Sequence, residues 1–163
     1  MKVLTFHSVR VALTAAGLFL AAWAATAWSQ GVSISISTPN ATVHPGDPIP
    51  IHFVMTNTTD HAIMVGRVPS DSSAEFHYQL QVSEASGRSV PETDYHHRIA
   101  GGWSGSRLQF DLKPGEKLEE DTEFTKQFDL SAPGTYTIQA RRWVEGEVKY
   151  SEWSNKLTIV VAP

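Results

Sequence analysis

From residue 31 onward, apolar and polar positions alternate along the chain. In VSISIS, Val32, Ile34 and Ile36 fall on one side and serines on the other. IPIHFVM repeats the pattern with Ile49, Ile51, Phe53 and Met55, and FHYQLQV with Phe76, Tyr78, Leu80 and Val82. Successive side chains of a strand point to opposite faces, so each run predicts a strand with one buried and one wet side. RLQFDL sets Leu108, Phe110 and Leu112 inward, TYTIQA sets Tyr136, Ile138 and Ala140 inward, and KLTIVV closes with Leu157, Ile159 and Val161. Turn chemistry separates the runs: HPGDP at 44–48, TNTTD at 56–60, ASGR at 85–88, KPGE at 113–116, APG at 132–134 and EGE at 145–147. Proline presets φ and glycine supplies positive φ, which is what a chain reversal needs. No segment after residue 31 sustains a 3.6-residue apolar period. The pattern predicts an all-β domain, an antiparallel β-sandwich of seven to nine short strands.

Two segments fit this scheme less simply. In KLEEDTEFTKQFDL the acids Glu119, Glu120, Asp121 and Glu123 precede Phe124, Phe128 and Leu130. A strand over 123–130 is expected there in preference to a turn of helix, with the acids in or beside a solvated edge whose repulsion discourages aggregation. DYHHRIAGGWSGSR, residues 94–107, is expected to be an insertion loop between strands.

The first thirty residues follow a different pattern. Lys2 and Arg10 make a basic start, residues 11–27 form an almost unbroken apolar run, and Ala25-Thr26-Ala27 fits a small-residue cleavage site. The division expected is a signal peptide over 1–30 and a single domain over 31–163. An uncleaved anchor is the alternative, since a run of 17 residues is at the short limit for a span. Removal of Lys2 and Arg10 from the 13 basic residues leaves 11 against 17 acids, a net charge of −6. That sign argues against nucleic acid and against an anionic membrane surface. No cysteine is present. In an exported chain this implies a core large enough to need no disulfides, and it suits a bacterial periplasmic or secreted protein. Asn40 and Asn57 match the glycosylation acceptor pattern and are read as turn residues.

The stretch from Leu112 to Val161 resembles the C-terminal half of bacterial immunoglobulin-like domains. The resemblance rests on Pro114-Gly115-Glu116 before one strand, Pro133 to Ile138 opening the next, and Ser154 to Ile159 in the last. It implies a tyrosine corner at Tyr136, whose buried phenol would hydrogen-bond backbone. Together with TPNATVHPGDPIPIHFVMTNTTDHAI, the arrangement is similar to the bacterial intracellular proteinase inhibitor family, over roughly residues 33–161. No inhibitory site carries over residue by residue. YSEWS, Tyr150 to Ser154, is one residue away from the W-S-x-W-S box of fibronectin type III domains in cytokine receptors. That likeness implies arginines of the preceding strand, Arg141 and Arg142, interleaved with Trp153 as a cation–π stack, with Trp143 beside them.

Candidate chemistry is sparse. There is no cysteine nucleophile, no G-x-S-x-G, no phosphate-binding glycine loop and no serine set beside a histidine by a recognisable catalytic pattern, so no enzyme activity is expected. His96 and His97, with Asp94, are the metal-ligand candidates. Neighbouring residues of an extended strand point to opposite faces and no distant partner announces itself, so no metal or other cofactor is expected. Recognition is the remaining class, weighed against Trp103 simply folding over the end of the sandwich as a lid with His96 and His97 solvated. Tyr95, Arg98, Trp103 and Arg107 lie in one loop with Gly101-Gly102 and Gly105, and aromatic and arginine residues dominate binding hot spots. The partner expected is an envelope protein or a glycan. The alternatives are a secreted proteinase inhibitor and an assembly subunit pairing through an edge strand such as Val32 to Ser37.

Overall fold

The computed structural model describes residues 31–69, 73–100, 106–145, 147 and 149–163. The expected signal peptide therefore lies outside the described residues, as does Trp103. The fold is all-β, with antiparallel sheets and a few short helical turns. In chain order come β1 (Val32–Ser37), β2 (Thr42–Val43), β3 (Pro50–Asn57), β4 (Ile63–Arg67), helix α1 (Ser73–His77) and β5 (Tyr78–Glu84). Helix α2 (Asp94–Ile99), β6 (Leu108–Leu112), β7 (Lys117–Glu123), a 3-10 turn over Phe124–Lys126, β8 (Gly134–Val144), β9 (Lys149–Tyr150) and β10 (Leu157–Val161) complete it.

Three sheets enclose one core. The first runs β1-β3-β7, the second β2-β10-β8-β5 with β9 also on β8, and β4 pairs with β6 in the third. All pairings are antiparallel except β2 with β10, which is parallel. The alternating positions of β1, β3, β8 and β10 fill the core: Ile34, Phe53, Met55, Ile138, Ile159 and their neighbours are buried. Gly46, Gly87 and Gly115 take positive φ of 87°, 83° and 79° in the HPGDP, ASGR and KPGE turns, where a Cβ would be strained.

Three parts depart from the pattern read along the chain. The acidic segment is a strand earlier than expected: β7 spans Lys117–Glu123, and Leu118, Glu120 and Thr122 point inward with Glu119 and Asp121 outward. Glu120 is thus buried rather than at a solvated edge, while Glu119 and Asp121 face His52 of β3. Glu123 ends the strand by capping the 3-10 turn through Thr125 N and accepting from Ile49 N at 3.0 Å, which turns Phe124 and Phe128 into the core. In β6 only Leu112 is buried; Leu108 and Phe110 are 56% and 38% exposed, because β6 pairs with β4 alone and its end lies beyond the core. Phe76 sits on α1 and not on a strand, so the alternation of FHYQLQV begins only at Tyr78.

Asn57, at the end of β3, is fully buried. Its amide donates to His61 O at 2.8 Å and Leu112 O at 2.7 Å and accepts from Thr59 N and Oγ1, which ties three segments together. Asn155, just before β10, accepts from Ile36 N at 2.9 Å and donates to Ile36 O at 3.0 Å, so a side chain occupies the free edge of β1. At the β8 entrance Tyr136 is buried and its hydroxyl donates to Ala132 O at 2.6 Å.

Candidate recognition surface

The expected loop over 94–107 begins as helix α2. Thr93 caps it by accepting from His96 N at 3.2 Å, and the same hydroxyl donates to Lys126 O at 2.5 Å, docking the helix start onto the 3-10 turn. Asp94 lies in the first turn and His96, His97 and Arg98 in the last, the arrangement the helix dipole favours. The helix has no buried residue, so it lacks the apolar stripe by which a helix is read from sequence. Its one signal was local, a capping threonine followed by an acid and, seven residues on, by glycines.

The candidates on α2 face different ways. Tyr95 is half-buried and its hydroxyl donates to Glu75 of α1, whose other carboxylate oxygen accepts from Thr122 Oγ1 at 3.2 Å. That carboxylate pushes the phenol up to about 12, with burial adding to it. Arg98, one turn on, places its guanidinium 5.8 Å from the Tyr95 ring centre and is exposed. His96 turns to the other side, 3.2 Å from Gln127 Oε1 and with its ring 5.3 Å from Phe128. His97 is exposed, 3.6 Å from Glu92. Arg107 is exposed, ahead of β6, apart from the α2 pair in sequence and element. Among the described residues no group of three or more His, Asp or Glu side chains is arranged to hold a metal ion.

Strand β8 separates the two arginines by strand alternation. Arg141 points outward and lies between two rings, 4.4 Å from the Tyr150 centre and 4.6 Å from Trp153, while its Nε donates to Gln79 Oε1 at 2.7 Å. The stack forms because YSEWS runs beside β8 with serine hydroxyls as acceptors. Arg142 N donates to Ser151 Oγ at 3.0 Å and Ala140 N to Ser154 Oγ at 3.0 Å, while Ser151 N and Ser154 N return bonds to Arg142 O and Ala140 O at 2.8 Å. Trp143, 40% exposed, meets Tyr150 edge-on at 5.2 Å.

Arg142 points inward and takes no part in this stack. It is fully buried, pairs with Glu120, donates to Gly66 O, and lies 5.1 Å from the Tyr78 ring centre. Beside it, His77 Nε2 accepts from Val68 N at 3.1 Å. Burial pushes His77 down to about 4, with the Arg142 charge adding and Glu145 opposing. A neutral ring is what this acceptor role requires. Burial likewise pushes Tyr78 up to about 12.

Two clefts open between these elements. One of about 380 Å³ is lined by Phe76, Leu80, His96, Ile99, Trp143 and Tyr150, with Glu75 and Glu92 among its polar groups. The next, about 290 Å³, is lined by Val82, Val90, Phe128 and Trp153, and the two share Gln79, Leu80 and Glu92. Of these residues Phe76, Leu80, Val82 and Phe128 were expected only as strand positions, and His96, Trp143, Tyr150 and Trp153 as candidate site or stacking residues. Glu75 and Glu92 carried no signal of their own; they meet Leu80 and Tyr150 because the α1–β5 stretch, the residues before α2, and β9 converge.

Neither a protein-family model nor a curated protein matches the chain. Among solved structures it is similar to a β-glucosidase from Listeria innocua in complex with glucose, at 9% identity and a TM-score of 0.41. It is also similar to a β-glucosidase from Erythrobacter marinus, at 15% and 0.39. The matches cover 83% and 80% of this chain but only 16% and 15% of those enzymes. At such scores they say nothing of activity. No helix among the described residues is long and apolar enough to cross a membrane.

Proposed function

We propose that the chain is an exported, non-catalytic immunoglobulin-like β-sandwich of a bacterial envelope that recognises a protein partner at the end of the fold built from α2, β5 and the paired strands β8 and β9. The observation that carries this reading is the cleft between α2 and Trp143–Tyr150. Exposed aromatic rings line it, and side chains bound to its lining are already held in place, Tyr95 by Glu75 and Arg141 by Tyr150, Trp153 and Gln79. Preordered aromatic and arginine side chains lose little entropy on binding, which is why they recur as interface anchors. Pairing through β1 is less favoured, since Asn155 takes both edge groups of Ile36.

The test is a pull-down from envelope extract with the full chain, beside two variants. One carries Tyr95→Ala, Arg98→Ala and Trp103→Ala, and the other Trp143→Ala and Tyr150→Ala. A partner held by the wild type and lost by either variant supports the recognition reading. A partner retained by both moves the interface elsewhere. Stoichiometric inhibition of an envelope protease in the same extract, with no stable partner, would favour the inhibitor alternative instead.

A further inference from the structure

Strand β5 is the outer strand of its sheet, and its free edge is covered along only half its length. At the far end the chain folds back on it: Glu84 N donates to Arg88 O at 2.8 Å and Val90 N to Val82 O at 3.2 Å. The return then stops. Pro91 has no N–H to continue a ladder, its carbonyl instead accepts from Asp129 N at 3.0 Å, and Glu92 bridges to Phe128. The returning segment thus leaves β5 after Val90.

Leu80 is the residue left uncovered. Backbone groups along a strand alternate in direction, so those of Leu80 point the same way as those of Val82 and Glu84, away from β8. Its partner on β8, Ala140, agrees: N–H and C=O of Ala140 bond Ser154 on the opposite side. Among the described residues no group pairs with Leu80 N–H or C=O. A half-exposed strand edge with an unpaired donor and acceptor is a template for another strand. The two clefts follow one another along this edge and share Leu80, so residues on either side of a chain paired there would find apolar walls of Ile99 and Trp143, or of Phe128 and Val90. Glu75 and Glu92 line the same space and disfavour an acidic occupant.

We propose that this edge takes a short extended segment of a partner protein by strand addition, bonding main chain to Leu80 and seating apolar, non-acidic side chains in the two clefts. This rests on the recognition reading above and names its mode: main-chain bonds supply affinity and the clefts selectivity.

The experiment selects phage-displayed random dodecapeptides on the full immobilised chain, then measures each enriched peptide against Leu80→Pro and against Tyr95→Ala/Arg98→Ala. Proline removes the N–H that points outward, and edge strands tolerate it. The expected result is a tenfold or greater loss of affinity for Leu80→Pro at an unchanged melting temperature. Should that variant melt early, peptides N-methylated at alternate residues give the second reading: one alternate set abolishes binding and the other leaves it. Peptides that bind regardless of Leu80→Pro and of N-methylation overturn the strand-addition mode while leaving recognition intact. No enrichment over the bare matrix overturns both. A chain dimer that dissociates on Leu80→Pro would show the edge taken by a second copy, which also overturns the proposal.

Discussion

Removal of Arg142 is the sharpest perturbation the core offers. Its side chain is 0% exposed and that of Glu120 is 1% exposed, and the two are paired, with Gly66 O as the other acceptor of the guanidinium. In Arg142→Met the Glu120 carboxylate stays buried; its nearest remaining cation is Arg67, whose Nε is 3.9 Å from Oε1 and whose side chain is 46% exposed. An uncompensated buried charge costs about 3–5 kcal/mol. Total stability of a domain is about 5–15 kcal/mol, so the variant is expected to lose a large share of it and to melt about 10–20 °C lower. Replacing both partners removes the charge altogether. Glu120→Leu/Arg142→Met is therefore expected to be more stable than Arg142→Met alone by at least about 2 kcal/mol, with Gly66 O the one group still lacking its donor. The assay is urea unfolding of wild type, both single variants and the double variant, read as a double-mutant cycle. A loss below about 1 kcal/mol for Arg142→Met, or a double variant equal to the sum of the singles, would refute the claim that the pair is desolvated and coupled.

Three further outcomes follow from the same geometry. His77 has a folded value near 4 against its ordinary 6.5, so between these two pH values the unfolded chain takes a proton the folded chain resists. Stability is then full above about pH 6.5 and declines as pH falls toward 4; the full shift equals about 3 kcal/mol by linkage, and screening of the partly exposed ring leaves about 1–2 kcal/mol. Urea midpoints across pH 4–7.5 should show this slope, and His77→Gln should flatten it. Arg141→Ala is expected to lose about 1–2 kcal/mol by removing a cation between two rings, with Arg141→Lys intermediate, and thermal melts with tryptophan fluorescence will report both. Asn57→Ala strips the donor from two backbone carbonyls and is expected to cost about 2–4 kcal/mol in denaturant unfolding, whereas a loss under 0.5 would show that water replaces it.

Period-two alternation was enough to read the all-β class and the core positions of β1, β3, β8 and β10, because side-chain direction in a strand follows from parity alone. The turns at Gly46, Gly87 and Gly115 were legible for a similar local reason, since positive φ selects glycine. Parity also held information that residue type obscured. Leu118, Glu120 and Thr122 share one face, as do Ala140, Arg142 and Val144, yet a carboxylate and a guanidinium argue for solvent until each is known to face the other. That fact belongs to the tertiary structure: β7 and β8 lie in different sheets, and nothing local brings residue 120 to residue 142.

The recognition surface divides the same way. Arg141, Trp143 and Trp153 were visible as a cluster within fifteen residues, and the stack of Arg141 between Tyr150 and Trp153 needs only the return of YSEWS beside β8. Helix α2 escaped because it buries no side chain and leaves no periodic trace. The open edge at Leu80 was not readable at all. It exists because the segment after β5 leaves that strand at Pro91 for Phe128, and whether a strand's outward hydrogen-bonding groups are paired depends on where its neighbours run. Parity along a strand sets the direction of each side chain, whereas its neighbours follow from the assembled sheets, because burial and pairing are contacts between segments far apart in the chain.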